Sequence, residues 1–174
     1  MTPRRIVVTG SESTGKTTLA ADLAVALGTI WVPEHARAYA EARGGILTAA
    51  DVEPIGRGQW AAETAALASR AGTVVFDTDL LSTAVYARHY YGMTVAWIEA
   101  AIQAYPPSLY LLCDIDLPWE ADGIRDRGEA RAAMHAAFRA ALEGRGFRYT
   151  VVRGTGSARL ASAVAAIREQ PDTG

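Results

Sequence analysis

The chain has no asparagine and a single lysine, Lys16; every other one of its 17 basic residues is arginine. A codon bias toward Ala, Arg and Gly accounts for that shortage. It does not account for the survivor's position, inside GSESTGKT. The one cysteine, Cys113, excludes an internal disulfide, and its apolar setting in LYLLCDI predicts a buried free thiol rather than a nucleophile. With 1 cysteine and 3 histidines there are no ligands for a zinc cluster. No run approaches 18 apolar residues, and the start MTPRRIVVTG lacks a signal-peptide pattern. The expectation is a soluble, cytoplasmic protein. A formal net charge of -2 argues against broad binding to nucleic acid or to an anionic membrane.

Half of the 174 residues are apolar and 21% are charged, enough for a folded domain that buries roughly 70% of its unfolded surface. Strand-like and helix-like segments alternate. Short apolar runs at 5–9, 30–32, 74–76, 109–113 and 147–152 predict five strands. Helical spacing or composition predicts helices at 15–27, 34–43, 49–70, 79–90, 94–104, 129–143 and 157–169, with a polar loop at 118–128. Near-continuous apolar strands between helices predict a parallel sheet covered on both faces. The expected architecture is an α/β three-layer sandwich of the P-loop kind. It forms one domain over 1–169, with a flexible tail at 170–174 and ligands at the carboxyl ends of the strands.

Gly10-Ser11-Glu12-Ser13-Thr14-Gly15-Lys16-Thr17 fits G-x-x-x-x-G-K-[ST] without a gap, between an apolar strand and a helix that continues through Thr18. Glycines let the backbone wrap phosphates, and successive N–H groups at a helix N-terminus form an anion nest. Lys16 supplies a mobile point charge for the β- and γ-phosphates, and Thr17 a hydroxyl for Mg²⁺. Without asparagine or a second lysine, the Asn-Lys-x-Asp guanine-reading motif cannot exist, which leaves ATP as the expected nucleotide.

Acids follow the predicted strands on the same rim. Asp77 closes TVVFD and reads as an Mg²⁺-holding acid or a helix cap. Asp79 reads equally as a cap or as a partner of a substrate hydroxyl. Glu34, in WVPEHAR, is the first candidate for a base on an acceptor hydroxyl, with Asp77 and Asp79 as rivals. Arg37 lies one turn on, placed to clamp a phosphate or to pair with Glu34. His35 reads as a solvated side chain. Arg125 and Arg127, in the Gly-bounded loop after the fourth strand, suit a lid closing over phosphates, or an ordinary solvated loop. Trp119 stacks on a ring or anchors that loop. Tyr86 and Tyr90, four apart on one helix face, serve core packing or ring stacking.

Together, GSESTGKTTL, EHAR, VFDTDLLSTAVY…YYG and PWEADGIRDRG resemble the ribosylnicotinamide kinase domain of NadR-type proteins, over about residues 5–152. The resemblance implies phosphorylation of nicotinamide riboside at its 5′-hydroxyl by MgATP, giving nicotinamide mononucleotide. It implies that Lys16 and Thr17 bind ATP and Mg²⁺, that Asp77 or Asp79 works at metal and acceptor, and that Arg125 and Arg127 sit in the lid. Trp119 and Asp122 of the PW-x-x-DG motif then join Glu34, Arg37, Asp79 and Tyr86 as acceptor-site candidates, with aromatic faces toward the cationic pyridinium. Larger members carry further nucleotidyltransferase or DNA-binding domains; the sequence begins at the first kinase strand, so neither adenylylation nor repression is expected. Homo-oligomerisation stays open. The rival readings are a kinase of another nucleoside or small alcohol, and a non-kinase nucleotide-dependent switch.

Overall fold

The structure is a computed structural model that describes residues 3–69, 71–118 and 130–170. Trp119, Asp122, Arg125 and Arg127, and residues 171–174 of the expected tail, lie outside the described residues.

The strands β1 (Arg4–Thr9), β2 (Ile30–Val32), β3 (Thr73–Asp77), β4 (Leu109–Cys113) and β5 (Tyr149–Val152) form one sheet in the order β2-β3-β1-β4-β5. Every pairing is parallel. Their side chains alternate between two cores. Ile6, Val8, Val75, Leu109, Leu111 and Cys113 face one side, where α1 (Lys16–Leu27) and α7 (Gly156–Arg168) cover them with Leu19, Leu23, Ala163 and Ile167. Val7, Val74, Phe76, Tyr110 and Leu112 face the other, packed by α4 (Leu80–Tyr91), α5 (Ala96–Ala104) and α6 (Ala130–Gly144) through Leu81, Val85, Ile98, Met134 and Phe138. Two-sided burial is why β1, β3 and β4 read as unbroken apolar runs rather than alternating ones. Two further helices, α2 (His35–Ala42) and α3 (Val52–Leu67), pack on each other near the ends of β2 and β3.

Predicted and observed elements differ at the edges for local reasons. The 49–70 segment starts as a 3₁₀ turn, Ala49–Asp51, before α3. Asp51 accepts from both the backbone N–H (2.8 Å) and the hydroxyl (2.9 Å) of Thr48, which fixes that entry. Pro54 then falls in the first turn of α3, where no N–H is needed. The fifth strand begins at Tyr149, not 147, because the Phe147 N–H closes the end of α6 by donating to the Leu142 carbonyl at 3.1 Å. Cys113 is buried, and burial pushes its thiol up to about 11, so it is inert at neutral pH, as its setting predicts.

Sheet order places the site. β1 lies between β3 and β4, so the chain's direction of winding reverses there and opens a crevice at the carboxyl ends. Val8 of β1 registers with Asp77 of β3, and the Thr78 N–H donates to the Val8 carbonyl at 2.9 Å. The loop leaving β1 and the acid ending β3 are thereby neighbours.

Candidate active site

Gly10 to Gly15 turn the chain from β1 into α1. Gly10 has φ 135°, and a Cβ there would come within 3.0 Å of the Cys113 carbonyl oxygen on β4. Gly15 has φ 74°, and a Cβ there would meet Leu117 Cδ1 at 2.9 Å. Both glycines are needed for conformation and for close approach. Lys16 is buried, with Nζ donating to the Ser11 carbonyl at 2.7 Å; the Thr14 hydroxyl donates to the same oxygen at 2.7 Å. Ser13, Thr14, Gly15, Lys16, Thr17 and Thr18 line a cleft of about 360 Å³, facing Glu34 and Arg37. Gly10, Ser11 and Glu12 are not among the lining residues of that cleft.

Behind its wall, the Thr17 hydroxyl donates to the buried Asp77 Oδ2 at 2.6 Å. Asp77 Oδ1 is buried with no hydrogen-bond partner among the described residues. Burial raises the Asp77 carboxyl above its ordinary value; the Thr17 bond opposes that, the Glu34 charge adds to it, and Lys16 and Arg37 oppose it. An unsatisfied carboxylate oxygen beside a hydroxyl is a donor set that suits a hard, oxygen-seeking cation such as Mg²⁺. Asp77→Asn is expected to raise the Mg²⁺ concentration needed for half-maximal activity by about tenfold or more. A Mg²⁺ titration of activity measures this, and an unchanged titration removes Asp77 from the metal site.

A second cavity, of about 520 Å³, lies between α2, α3 and α4. That volume is within the usual range for small-molecule sites. Its wall is mostly apolar or aromatic, with Leu47, Val52, Ile55, Tyr86, Tyr90 and Tyr91. Polar groups from Glu34, Thr48, Gln59, Thr78, Ser82 and Thr83 converge on it. Tyr86 and Tyr90 stack with ring centroids 5.9 Å apart and planes 6° apart. The Tyr86 hydroxyl donates to Glu12 Oε2 at 3.2 Å, linking this cavity to the phosphate loop. Glu12 is therefore tied to Tyr86 in the wall of the aromatic cavity and not to the cleft. Glu34, itself buried at the N-terminus of α2, lines both cavities.

Beneath the second cavity runs a buried polar chain. Gln59 Oε1 accepts from the His35 N–H at 3.1 Å, and Gln59 Nε2 donates to Glu63 Oε1 at 3.1 Å. Glu63 Oε1 also accepts from the Leu80 N–H at 3.1 Å, and Glu63 Oε2 pairs with Arg5 at 2.8 Å. Gln59 and Glu63 thus tie the start of α2, which carries Glu34, to the start of α4. Asp79 belongs to this buried layer. It caps α4 by accepting from the Leu81 N–H at 3.1 Å and takes the Tyr110 hydroxyl at 2.7 Å. Burial raises its carboxyl, and that of Glu63 to about 8, where the Asp79 charge adds to the rise.

Of the residues singled out in the sequence, Lys16, Thr17, Glu34, Arg37 and Tyr86 line the two cavities, and Asp77 lines neither but bonds Thr17 of the cleft wall. Asp79 lines neither, because its carboxylate is turned to the helix start and Tyr110. His35 is half-buried rather than solvated: a Cβ at Gly58 would lie 2.0 Å from its Nε2, so the ring packs on the bare backbone of α3. Sequence reading missed Ser82, Thr83 and Ala87. Their signal was present, since 82, 83, 86, 87, 90 and 91 form one stripe on α4. Gln59 carried no comparable signal. Among the described residues no group of three or more His, Cys, Asp or Glu side chains gathers as a metal cluster, and no helix is long and apolar enough to cross a membrane.

Comparison with known proteins bears on the fold and the family. The trifunctional NAD biosynthesis/regulator protein NadR of Escherichia coli (strain K12) is 29% identical over 131 residues, 73% of this chain and 32% of that protein. The chain therefore spans about a third of that curated relative's length. A crystal structure of NadR protein in complex with NR matches with a TM-score of 0.85 at 26% identity, covering 99% of this chain and 52% of that one. Thymidylate kinase from Ehrlichia chaffeensis shares the fold, with a TM-score of 0.68 at 15% identity over 97% of this chain and 98% of that one. Residues 5–159, from β1 through the phosphate loop into α7, match the family model described as an AAA domain, and the chain belongs to that family, within which it resembles the NadR-type kinase domain.

Proposed function

We propose that the chain transfers the γ-phosphoryl group of ATP to the 5′-hydroxyl of nicotinamide riboside. The observation that carries this reading is Glu34, one buried carboxylate in the wall of both the phosphate-loop cleft and the aromatic cavity. A hydroxyl entering from the aromatic cavity and a phosphate chain on the loop meet at that side chain. The similarity to a NadR protein solved with NR supports the choice of acceptor.

ATP lies along residues 13–18 with its phosphates toward the loop N–H groups and Lys16. Thr17 and Asp77 are the residues that would hold Mg²⁺, which would offset the negative charge of the phosphates. Glu34 orients the acceptor hydroxyl and takes its proton as the new O–P bond forms. The stacked Tyr86 and Tyr90 rings offer π-faces to a cationic pyridinium. Catalysis is then mainly positioning and charge neutralisation.

The test is a coupled ADP-release assay over a panel of ribosides and small alcohols, with mass detection of product. Nicotinamide riboside is expected to give ADP and a mononucleotide in equal amounts. A different preferred acceptor overturns the acceptor assignment. Slow ADP release that no acceptor accelerates overturns the kinase reading in favour of a nucleotide-dependent switch.

A further inference from the structure

Two arginines lie behind the phosphate loop with no part in the chemistry above. Arg159, on the first turns of α7, is 3% exposed. Its Nη1 donates to the Thr14 carbonyl. Its Nη2 donates to Asp116 Oδ1 at 2.5 Å and, more weakly, to the Asp114 carbonyl at 3.4 Å. Arg131, on α6, donates through Nη1 to the Ser13 carbonyl at 3.4 Å, and through Nη2 to the carbonyls of Ile115 at 2.9 Å and Leu117 at 2.7 Å. Two guanidinium groups are therefore set against two successive loop peptides, Arg159 on Thr14 and Arg131 on Ser13. The loop is pressed onto the first of them: a Cβ at Gly15 would lie 3.2 Å from Arg159 Nη1.

In a planar trans peptide the C=O and the following N–H point in opposite directions. A Thr14 carbonyl held toward α7 sends the Gly15 N–H the other way, toward the cleft that Gly15 lines. The Ser13 carbonyl, held by Arg131, does the same for the Thr14 N–H. These are the donors an anion nest needs, and Gly15 at φ 74° has no side chain to resist rotation of that peptide. Free rotation would cost the nest its preorganisation, which is where such a site gets its strength.

We infer that Arg159 is a positioning residue of the nucleotide site: it fixes the Thr14–Gly15 peptide so that the loop amides face the nucleotide's terminal phosphates. Asp116 holds the fork in register, and Arg131 is a weaker second pin. The inference rests only on the nucleotide half of the proposed function and not on the acceptor.

The test compares ADP with AMP, because only the terminal phosphate of ADP needs the fixed peptide. Affinities for both are measured by calorimetry on wild type, Arg159→Ala and Arg159→Lys, with thermal melting alongside. Wild type is expected to prefer ADP strongly. Arg159→Ala is expected to lose about 10- to 100-fold of that preference, the scale of a charge-assisted hydrogen bond, with AMP affinity nearly unchanged. Guanidinium ion added to Arg159→Ala is expected to restore part of the preference. If Arg159→Ala does not fold, Arg159→Lys carries the test. It keeps a cation beside Asp116 but not the fork, and a loss of about tenfold is expected. A folded variant with a lower melting temperature and an undiminished ADP preference overturns the inference, because Arg159 is then only a staple for α7. A wild type without ADP preference overturns the nucleotide reading instead.

Discussion

Lys16→Arg is expected to lose phosphoryl transfer by about 100-fold or more, the scale on which preorganised charge stabilisation acts, with the fold intact. Lys16 is 7% exposed and donates to the Ser11 carbonyl from inside the loop. That carbonyl also holds the Thr14 hydroxyl, so the ammonium can turn to a phosphate without orphaning a buried oxygen. Arginine carries the same charge on a broad planar fork. That fork cannot reproduce the single compact donor that Lys16 aims from the loop. Steady-state rates and a melting curve on the purified variant decide it. Near-normal turnover would show that charge alone is required and that the compact ammonium is not.

Glu34→Gln comes next in size. Turnover is expected to fall by about 100-fold or more while ATP affinity changes by no more than a few-fold. The amide keeps the side chain's volume and its place at the N-terminus of α2, and removes the proton acceptor. The rival acids are placed differently, since neither lines the two cavities as Glu34 does. Asp79 is taken up by the Leu81 N–H and the Tyr110 hydroxyl, and Asp77 receives the Thr17 hydroxyl. If Glu34→Gln lowers ATP affinity as much as turnover, Glu34 is a structural wall of the cleft and not the base.

The phosphate loop was legible as a turn because it depends on local backbone geometry that demands glycine, although Gly10, Ser11 and Glu12 do not line the cleft. The five strands were legible because both faces of the sheet are buried, which leaves unbroken apolar runs. Asp79 was legible only as two alternatives, of which the helix cap is the one the structure shows. Its spacing from Asp77 fitted an acceptor contact, but the start of α4 turns its carboxylate toward Tyr110, on a strand 31 residues later. Tyr86 reversed the other way. A tyrosine pair on a helix usually means core, and Tyr86 does touch the core through an edge contact with Phe138. Its other face forms the wall of the cavity because α2 and α3 stand off from α4 there.

The sequence by itself determined the parallel α/β sheet, the nucleotide loop and the likeness to NadR-type kinase domains, since each rests on short-range pattern. Only the tertiary structure decided which acid lines both cavities and which side chains contact the back of the loop. Glu34 came to join two cavities because β2 pairs beside β3, which brings the start of α2 to the phosphate loop. Arg159 came to rest on Thr14, 145 residues away in the chain, because α7 packs against α1. Contacts at that separation are set by how elements stack, and no local pattern encodes them. The lone lysine belongs to both parts: its motif named it, and the fold buries it with its ammonium on the Ser11 carbonyl.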